Sequence, residues 1–331
     1  MNYLEYANAF AAAKVIGGGG GSSITVEPLT VTDNGVYSAS SGYAFDPVTV
    51  SVPTSAAGQE DEIVTRTISG TYVNNRVTEI GDYAFDFCTS LQSVSFGSAL
   101  SIRRYAFNLC SNLTNISFPN VEFIGSYAFA SCPKLTSASF PKVTVIGANA
   151  FASCKSMLTV SFPIATTISF AAFSWCSSLG AVSFPNVTTI ESFAFVACSE
   201  ISEAFFPSVT TIGGTAFGSC FKLASITLDF VENIQAGTFS NCYSLSEVYL
   251  PRAVSISNAF NKCYHLMSLY LLGSSVAVLL NAGAFSSTPI DKYTASVGTG
   301  NYGSIYVPSS LLTTYQSATN WVNFSDRFVG V

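Results

Sequence analysis

The residues of this chain equipped for chemistry are nine cysteines, one histidine and a few carboxylates. Cys88, Cys110, Cys132, Cys154, Cys176, Cys198, Cys220, Cys242 and Cys263 return every 22 residues, with one last interval of 21. Disulfides, a metal site and a buried ladder are the three roles open to them. Nine is odd, and stacked neighbours about 5 Å apart would carry parallel side chains, a poor match to disulfide geometry. No Cys-x-x-Cys pair occurs and His265 is the only histidine, so zinc has little support and no metal or cofactor is expected. The reading favoured is structural, since a buried cysteine is a small apolar group with a weak donor.

A Ser-His-Asp triad would have to use His265. That residue follows Cys263 by two positions, a slot held elsewhere by Ser90, Asn112, Lys134 and Ser178, which marks it as solvent-facing rather than catalytic. The run Gly17–Gly21 lacks the Lys-Ser/Thr of a phosphate loop. Glu203 and Glu247 lie two repeats apart, about 10 Å at the strand spacing, a gap loosely suited to inverting glycoside hydrolysis. Their plainer reading is as exposed strand residues around no convergent pocket. No catalytic residue is assigned, and the chain is read as a non-enzyme.

Each cysteine belongs to a longer phrase. An apolar residue follows at plus three (Leu91, Leu113, Leu135, Met157, Leu179), then an alternating pair such as Ile116/Phe118, then a proline such as Pro119 or Pro141. Ile80, Ile102, Ile124, Ile146, Ile168, Ile190, Ile212, Ile234 and Ile256 keep the same step. A fixed period of about 20–29 residues marks a solenoid. The alternation predicts a short strand buried on one face, and proline ends it. Ile124, Ala128, Phe129 and Cys132 have helical spacing, which predicts a short helical turn packed on the strand layer. No coil buries its apolar face alone, so stacked coils share one core.

Composition agrees. Only 10% of residues are charged, the net charge is −6 and the mean hydropathy is +0.42. There is no basic patch for nucleic acid and no run of about 18 apolar residues to span a membrane.

The phrase Cys-x-x-Leu-x-x-Val-x-Phe-Pro-x-Val-x-x-Ile-x-x-x-Ala-Phe resembles the leucine-rich repeat of the BspA-like (Treponema pallidum type) class. The segment Ile305 to Val331 resembles that family's closing strand and capping helix, with Tyr315 and Trp321. The resemblance covers roughly residues 63–331. It implies an α/β repeat solenoid: a right-handed leucine-rich-repeat stack of 22-residue coils with a parallel sheet on the concave face. It implies a surface adhesin or recognition protein without catalysis, and a corner position that commonly holds Asn or Cys.

The expected organisation is an N-terminal helix (about Tyr3 to Ile16) and polyglycine linker over 1–21, and a small β-module and linker over 22–62. The repeat solenoid follows over 63–290, its first coil, Ile63 to Glu79, irregular and capping. A C-terminal strand and capping helix occupy 291–331. Two alternating segments around Asp33-Asn34-Gly35 carry the β-module reading, and Ala57–Glu62 reads as a linker. The stretch from Val31 to Pro53 resembles short modules of phage tail and other virion-associated proteins. The first charge is Glu5 and Lys14 follows the apolar stretch, so no Sec signal peptide is read.

Between the buried strand residues, two positions per coil point outward. Seven after each cysteine the row reads Ser95, Ser117, Ser139, Ser161, Ser183, Phe205, Thr227, Tyr249, Tyr270; five after, Glu203 and Glu247 interrupt small polar residues. One after the cysteine, the last coils carry Phe221, Tyr243 and Tyr264. Drift, or cover by the C-terminal cap, is the bland explanation. The sharper one is a ligand-binding patch of Phe205, Tyr243, Tyr249, Tyr264 and Tyr270 rimmed by Glu203 and Glu247, with aromatic faces that also suit sugar rings. The function expected is non-catalytic recognition or adhesion, the solenoid binding a protein or glycan at a cell surface. The alternative is a phage or prophage virion-associated host-binding or structural protein, anchored through residues 1–62. Those residues would also serve self-association. Either setting places the protein outside a cell, on a bacterial surface or a phage particle.

Overall fold

The computed structural model describes residues 70–291 and 302–331, and the backbone of four short strands before them. The helix expected over 3–16 and the polyglycine lie outside the described residues, as does most of the Ala57–Glu62 linker. Thr30–Val31 pairs antiparallel with Tyr37–Ser38, and Val50–Val52 with Glu62–Val64.

From Gly70 the chain is a parallel-strand solenoid of about 11 coils with a repeat near 22 residues. Each coil lays down two short strands. The first follows the cysteine, as in Leu91–Ser95, Ser137–Ser139, Thr159–Ser161 and Glu247–Tyr249. The second ends on the recurring isoleucine, as in Phe123–Ile124 and Thr167–Ile168. Pairing is parallel and joins each residue to its counterpart one repeat on: Ala138 with Val160, Ile124 with Ile146. The proline after the first strand has no N–H to continue a ladder, which keeps these strands to a few residues.

The corner between isoleucine and cysteine is not the helical turn that the spacing predicts. It is a run of tight turns with two left-handed residues per coil, such as Tyr105 (φ 56°) and Leu109 (φ 59°). Alternate N–H groups then point two ways. Ala106 and Asn108 donate back within the coil to Arg103 O (3.4 Å) and Tyr105 O (3.2 Å). Phe107 and Leu109 donate along the stack to Ala128 O (2.7 Å) and Ala130 O (2.9 Å). An α-helix would spend every N–H internally and leave the next coil unbonded. A left-handed conformation costs a side-chain-bearing residue about 1–2 kcal/mol; the inter-coil bonds offset it. The coil that is one residue short, between Ile256 and Cys263, lacks the first of these left-handed positions. The deficit falls in the corner, and strand register is kept.

Two columns of rings fill the interior. Phe85, Phe107, Phe129, Phe151, Phe173, Phe195, Phe217, Phe239, Phe260 and Phe285 stack with centroids from 4.9 Å to 6.0 Å apart and planes within 12°. A second column, Phe96 to Phe206, stacks beside it, tilted against the first, for example Phe107 to Phe118 at 55°. Leucine continues that column at Leu228, Leu250 and Leu271.

Both ends are closed. Gly70–Val73 pairs with Leu91–Ser95, and Tyr72 meets Phe85 and Phe96 at 5.4 and 5.5 Å. At the other end, the 3-10 segment Trp321–Arg327 covers Phe285, and helix α1 (Leu312–Ser317) packs on it through Tyr315, 5.8 Å from the Trp321 ring. Trp321 Nε1 donates to Ala277 O at 2.6 Å, and Ala277 N donates to Tyr315 Oη at 2.9 Å. The Arg327 guanidinium is buried 3.9 Å from the Tyr302 ring centroid and donates to Ile290 O.

Phe151 sits at the middle of the first column, fully buried between Phe129 and Phe173. Phe151→Ala should destabilise the chain by about 3–5 kcal/mol, read as a lower urea midpoint. A loss under about 1 kcal/mol would show that the column does not carry the core.

Candidate functional site

All nine cysteines are buried and none is in a disulfide. From Cys110 to Cys263, each Sγ–H donates to the carbonyl of the column phenylalanine one coil back, at 3.0–3.3 Å (Cys198 to Phe173 O, 3.0 Å; Cys220 to Phe195 O, 3.3 Å). In most coils the same carbonyl also accepts the N–H of its own coil's cysteine, as Phe173 O does from Cys176 N at 3.1 Å. Cysteine supplies a second donor to an oxygen with two lone pairs in a space too small for a longer side chain. Burial pushes the thiols of Cys110, Cys154, Cys176, Cys198, Cys220 and Cys242 well above the ordinary range, and that of Cys263 up to about 12. Such thiols stay protonated, hence weak nucleophiles and poor ligands. Among the described residues no group of three His, Cys, Asp or Glu is placed to hold a metal. His265 is exposed, its Nδ1 against Tyr243 O.

The seven residues singled out for binding fall into three groups. Tyr249 and Tyr270 are register partners on neighbouring strands, with rings parallel and 4.1 Å apart. The stack has a third member that the period hides. Tyr306, on strand Ser304–Val307, pairs with Tyr270 and stacks on it at 4.5 Å. Its spacing is 36 rather than 22, because an irregular coil intervenes. The signal is nevertheless present: Ile305-Tyr306-Val307-Pro308 repeats Val248-Tyr249-Leu250-Pro251. These rings cover one another's faces and turn their edges and hydroxyls outward. The Tyr249 hydroxyl lies 3.0 Å from Glu247 Oε1. Its pKa is raised, first by hydrogen bonding with Tyr270 and then by Glu247.

Tyr243 and Tyr264 form a separate stack at the corner after the cysteine, headed by Phe221 (4.8 and 5.2 Å). Glu203 and Phe205 stand apart from both, two coils before Glu247 and Tyr249. Phe205 is 58% exposed. In the first coils Tyr83, Tyr105 and Tyr127 make another stack (4.9 and 4.7 Å), at the first left-handed position, with Arg104 over Tyr83. The signal for it is a tyrosine two residues before the column phenylalanine in three successive coils.

Residues 65–180 and 166–291 match the family described as BspA type leucine rich repeat region, in six copies. No curated protein matches the chain. Among solved structures, a leucine-rich repeat protein from Bacteroides ovatus is 20% identical (TM-score 0.44), over 88% of this chain and 100% of that one. The T. pallidum leucine-rich repeat protein is 26% identical (TM-score 0.40), over 47% and 78%. A leucine-rich cell surface protein from Faecalibacterium prausnitzii is 20% identical (TM-score 0.34), over 82% and 93%.

The cysteine ladder has a pH signature. A thiol whose folded pKa is raised stabilises the fold fully below its unfolded value and loses that contribution as pH climbs through the folded one. Urea midpoints should therefore be flat up to about pH 8.5 and fall steeply toward pH 12. In the same samples, a thiol reagent at pH 8 should find all nine silent until denaturant is added. A thiol that reacts rapidly in the native state would contradict the ladder.

Proposed function

The chain belongs to the BspA-type leucine-rich repeat family, and from that premise we propose that it is a non-catalytic recognition protein whose open sheet face binds a macromolecule. One observation carries the reading. Inward positions repeat the same side chains from coil to coil, while the outward rows change character. Serine holds the seven-after position through Ser183; from Phe205 on, the row becomes Phe205, Thr227, Tyr249, Tyr270 and Tyr306, with Glu203 and Glu247 alongside. Packing does not ask for this change, because these side chains lie outside the core. Exposed aromatics beside acidic groups are the chemistry of recognition surfaces.

A protein ligand is favoured over a glycan. A sugar ring recognised by an aromatic residue lies on the ring's face, and stacking covers every tyrosine face but those at the two ends of the stack. Their hydroxyl edges and the flanking carboxylates offer hydrogen bonds and charge to a polypeptide surface. Recognition of a protein at a cell surface is the setting proposed. The resemblance of Val31 to Pro53 to virion modules favours a second setting, a phage particle that reads its host through the same face.

The test uses the labelled full chain and a Tyr249→Ser/Tyr270→Ser/Tyr306→Ser variant, scored for binding to bacterial cells, extracellular-matrix proteins, mucin and purified glycans. Binding to a protein-bearing surface that falls at least about tenfold in the variant is expected. No binding by the wild type to any surface, or equal binding by the variant, would overturn the proposal.

A further inference from the structure

The tyrosine stack and the Glu203–Phe205 pair differ in what they leave unsatisfied. In the stack, rings cover rings and the first hydroxyl is tied to Glu247. Phe205 stands in the same outward row, but its register partner is Ser183 and the next coil offers only Thr227. Among the described residues its ring stacks on no other, and it is one of the most exposed large apolar side chains. Glu203 points the same way two residues earlier, about 7 Å along the strand, between Ala181 and Ser225 of the neighbouring coils. The ion pairs among the described residues involve Glu79, Asp82, Glu200 and Asp326, not Glu203. Neither outward row carries a lysine or arginine anywhere from Ser93 to Tyr306.

These residues bound a slot. Phe205 and the uncovered face of Tyr249 stand on either side of Thr227, two coils and so about 10 Å apart. In the parallel row Glu203 and Glu247 stand on either side of Ser225. Both walls are held by backbone hydrogen bonds: Phe184 N to Phe205 O and Leu228 N to Tyr249 O, each 3.0 Å. Two aromatic walls, a floor of hydroxyls and two carboxylates with no resident cation call for a planar cation. Guanidinium meets that description. It stacks on aromatic faces, gives up water more readily than ammonium, and presents a fork of donors to a carboxylate. The net charge of −6 draws a basic partner toward the face.

We infer that the slot between Phe205 and Tyr249 takes an arginine side chain of a protein partner, with Glu203 as the carboxylate that receives it. The inference rests on the reading of this face as a binding surface and names what the face grips.

The experiment titrates the full chain with three short synthetic peptides, Gly-Arg-Thr-Arg-Gly and its lysine and citrulline counterparts, by calorimetry. The variants are Glu203→Gln, Phe205→Ser and, as a control on the stack of the first coils, Tyr127→Ser. All replace side chains at least partly exposed to solvent, and thermal midpoints verify folding. The arginine peptide should bind the wild type and the control equally, and each of the other two variants about tenfold more weakly. The lysine peptide should bind roughly threefold or more weaker than arginine, and the citrulline peptide should not bind. The inference is overturned if the arginine peptide fails to bind the wild type, if citrulline binds as well, or if Glu203→Gln and Phe205→Ser bind unchanged. If the peptides fail while surface binding is present and lost with the tyrosine stack, the inference falls and the functional reading stands. If the wild type binds no surface at all, both fall.

Discussion

In most coils one carbonyl oxygen holds two coils together. The column phenylalanine offers its C=O to the N–H of the cysteine three residues on and to the Sγ–H of the cysteine in the next coil. The phenylalanine ring meanwhile stacks on its counterpart, and the strands pair residue for residue with theirs. These requirements share one register. Slip a strand by a single residue and its alternation turns inside out. Stability is then a sum of near-identical contacts between neighbours, closed by Tyr72 at one end and by Tyr315, Trp321 and Phe324 at the other.

Such a scaffold divides labour between positions. Inward side chains are set by the neighbour above and below, so they repeat. Outward side chains meet no such demand, so they are free to carry recognition. The aromatic and acidic stretch begins at Glu203 and runs to the capped end, while the serine rows before it remain plain. The thiols are buried, and the outward rows offer hydroxyls, carboxylates and aromatic rings.

Much of this was legible in the residues. The 22-residue period, the cysteine and isoleucine rows and the alternating pair state the coil length, the two strands and the buried face. The corner was not legible. Left-handed residues announce themselves as Gly or Asn, as at Gly237, Asn149 and Asn241, but most here are Tyr, Ser, Leu or Ala, held there by inter-coil hydrogen bonds. Helical spacing was a by-product of tight turns that return the chain every three or four residues. The site was half legible. Tyr249 and Tyr270 stand in an obvious row, yet Tyr306 lies beyond an irregular coil, and only the likeness of Ile-Tyr-Val-Pro to Val-Tyr-Leu-Pro points to it. That the tyrosines would spend their faces on each other, while Phe205 kept both of its own, depends on which coils are adjacent and what fills the intervening position.

Register between coils, rather than any one coil, carries the fold. The most direct measurement compares two deletions by urea unfolding. Removing residues 155–176 takes out one whole coil and rejoins Cys154 to Ser177 with every row still in step. Removing Ser161 alone takes out one residue inside a strand and throws the rows out of step. The shortened solenoid should keep a single cooperative transition close to that of the intact chain, while loss of the one serine should lower the midpoint far more. A whole-coil deletion that unfolds the chain as thoroughly as the single-residue deletion, or more so, would contradict that role of register.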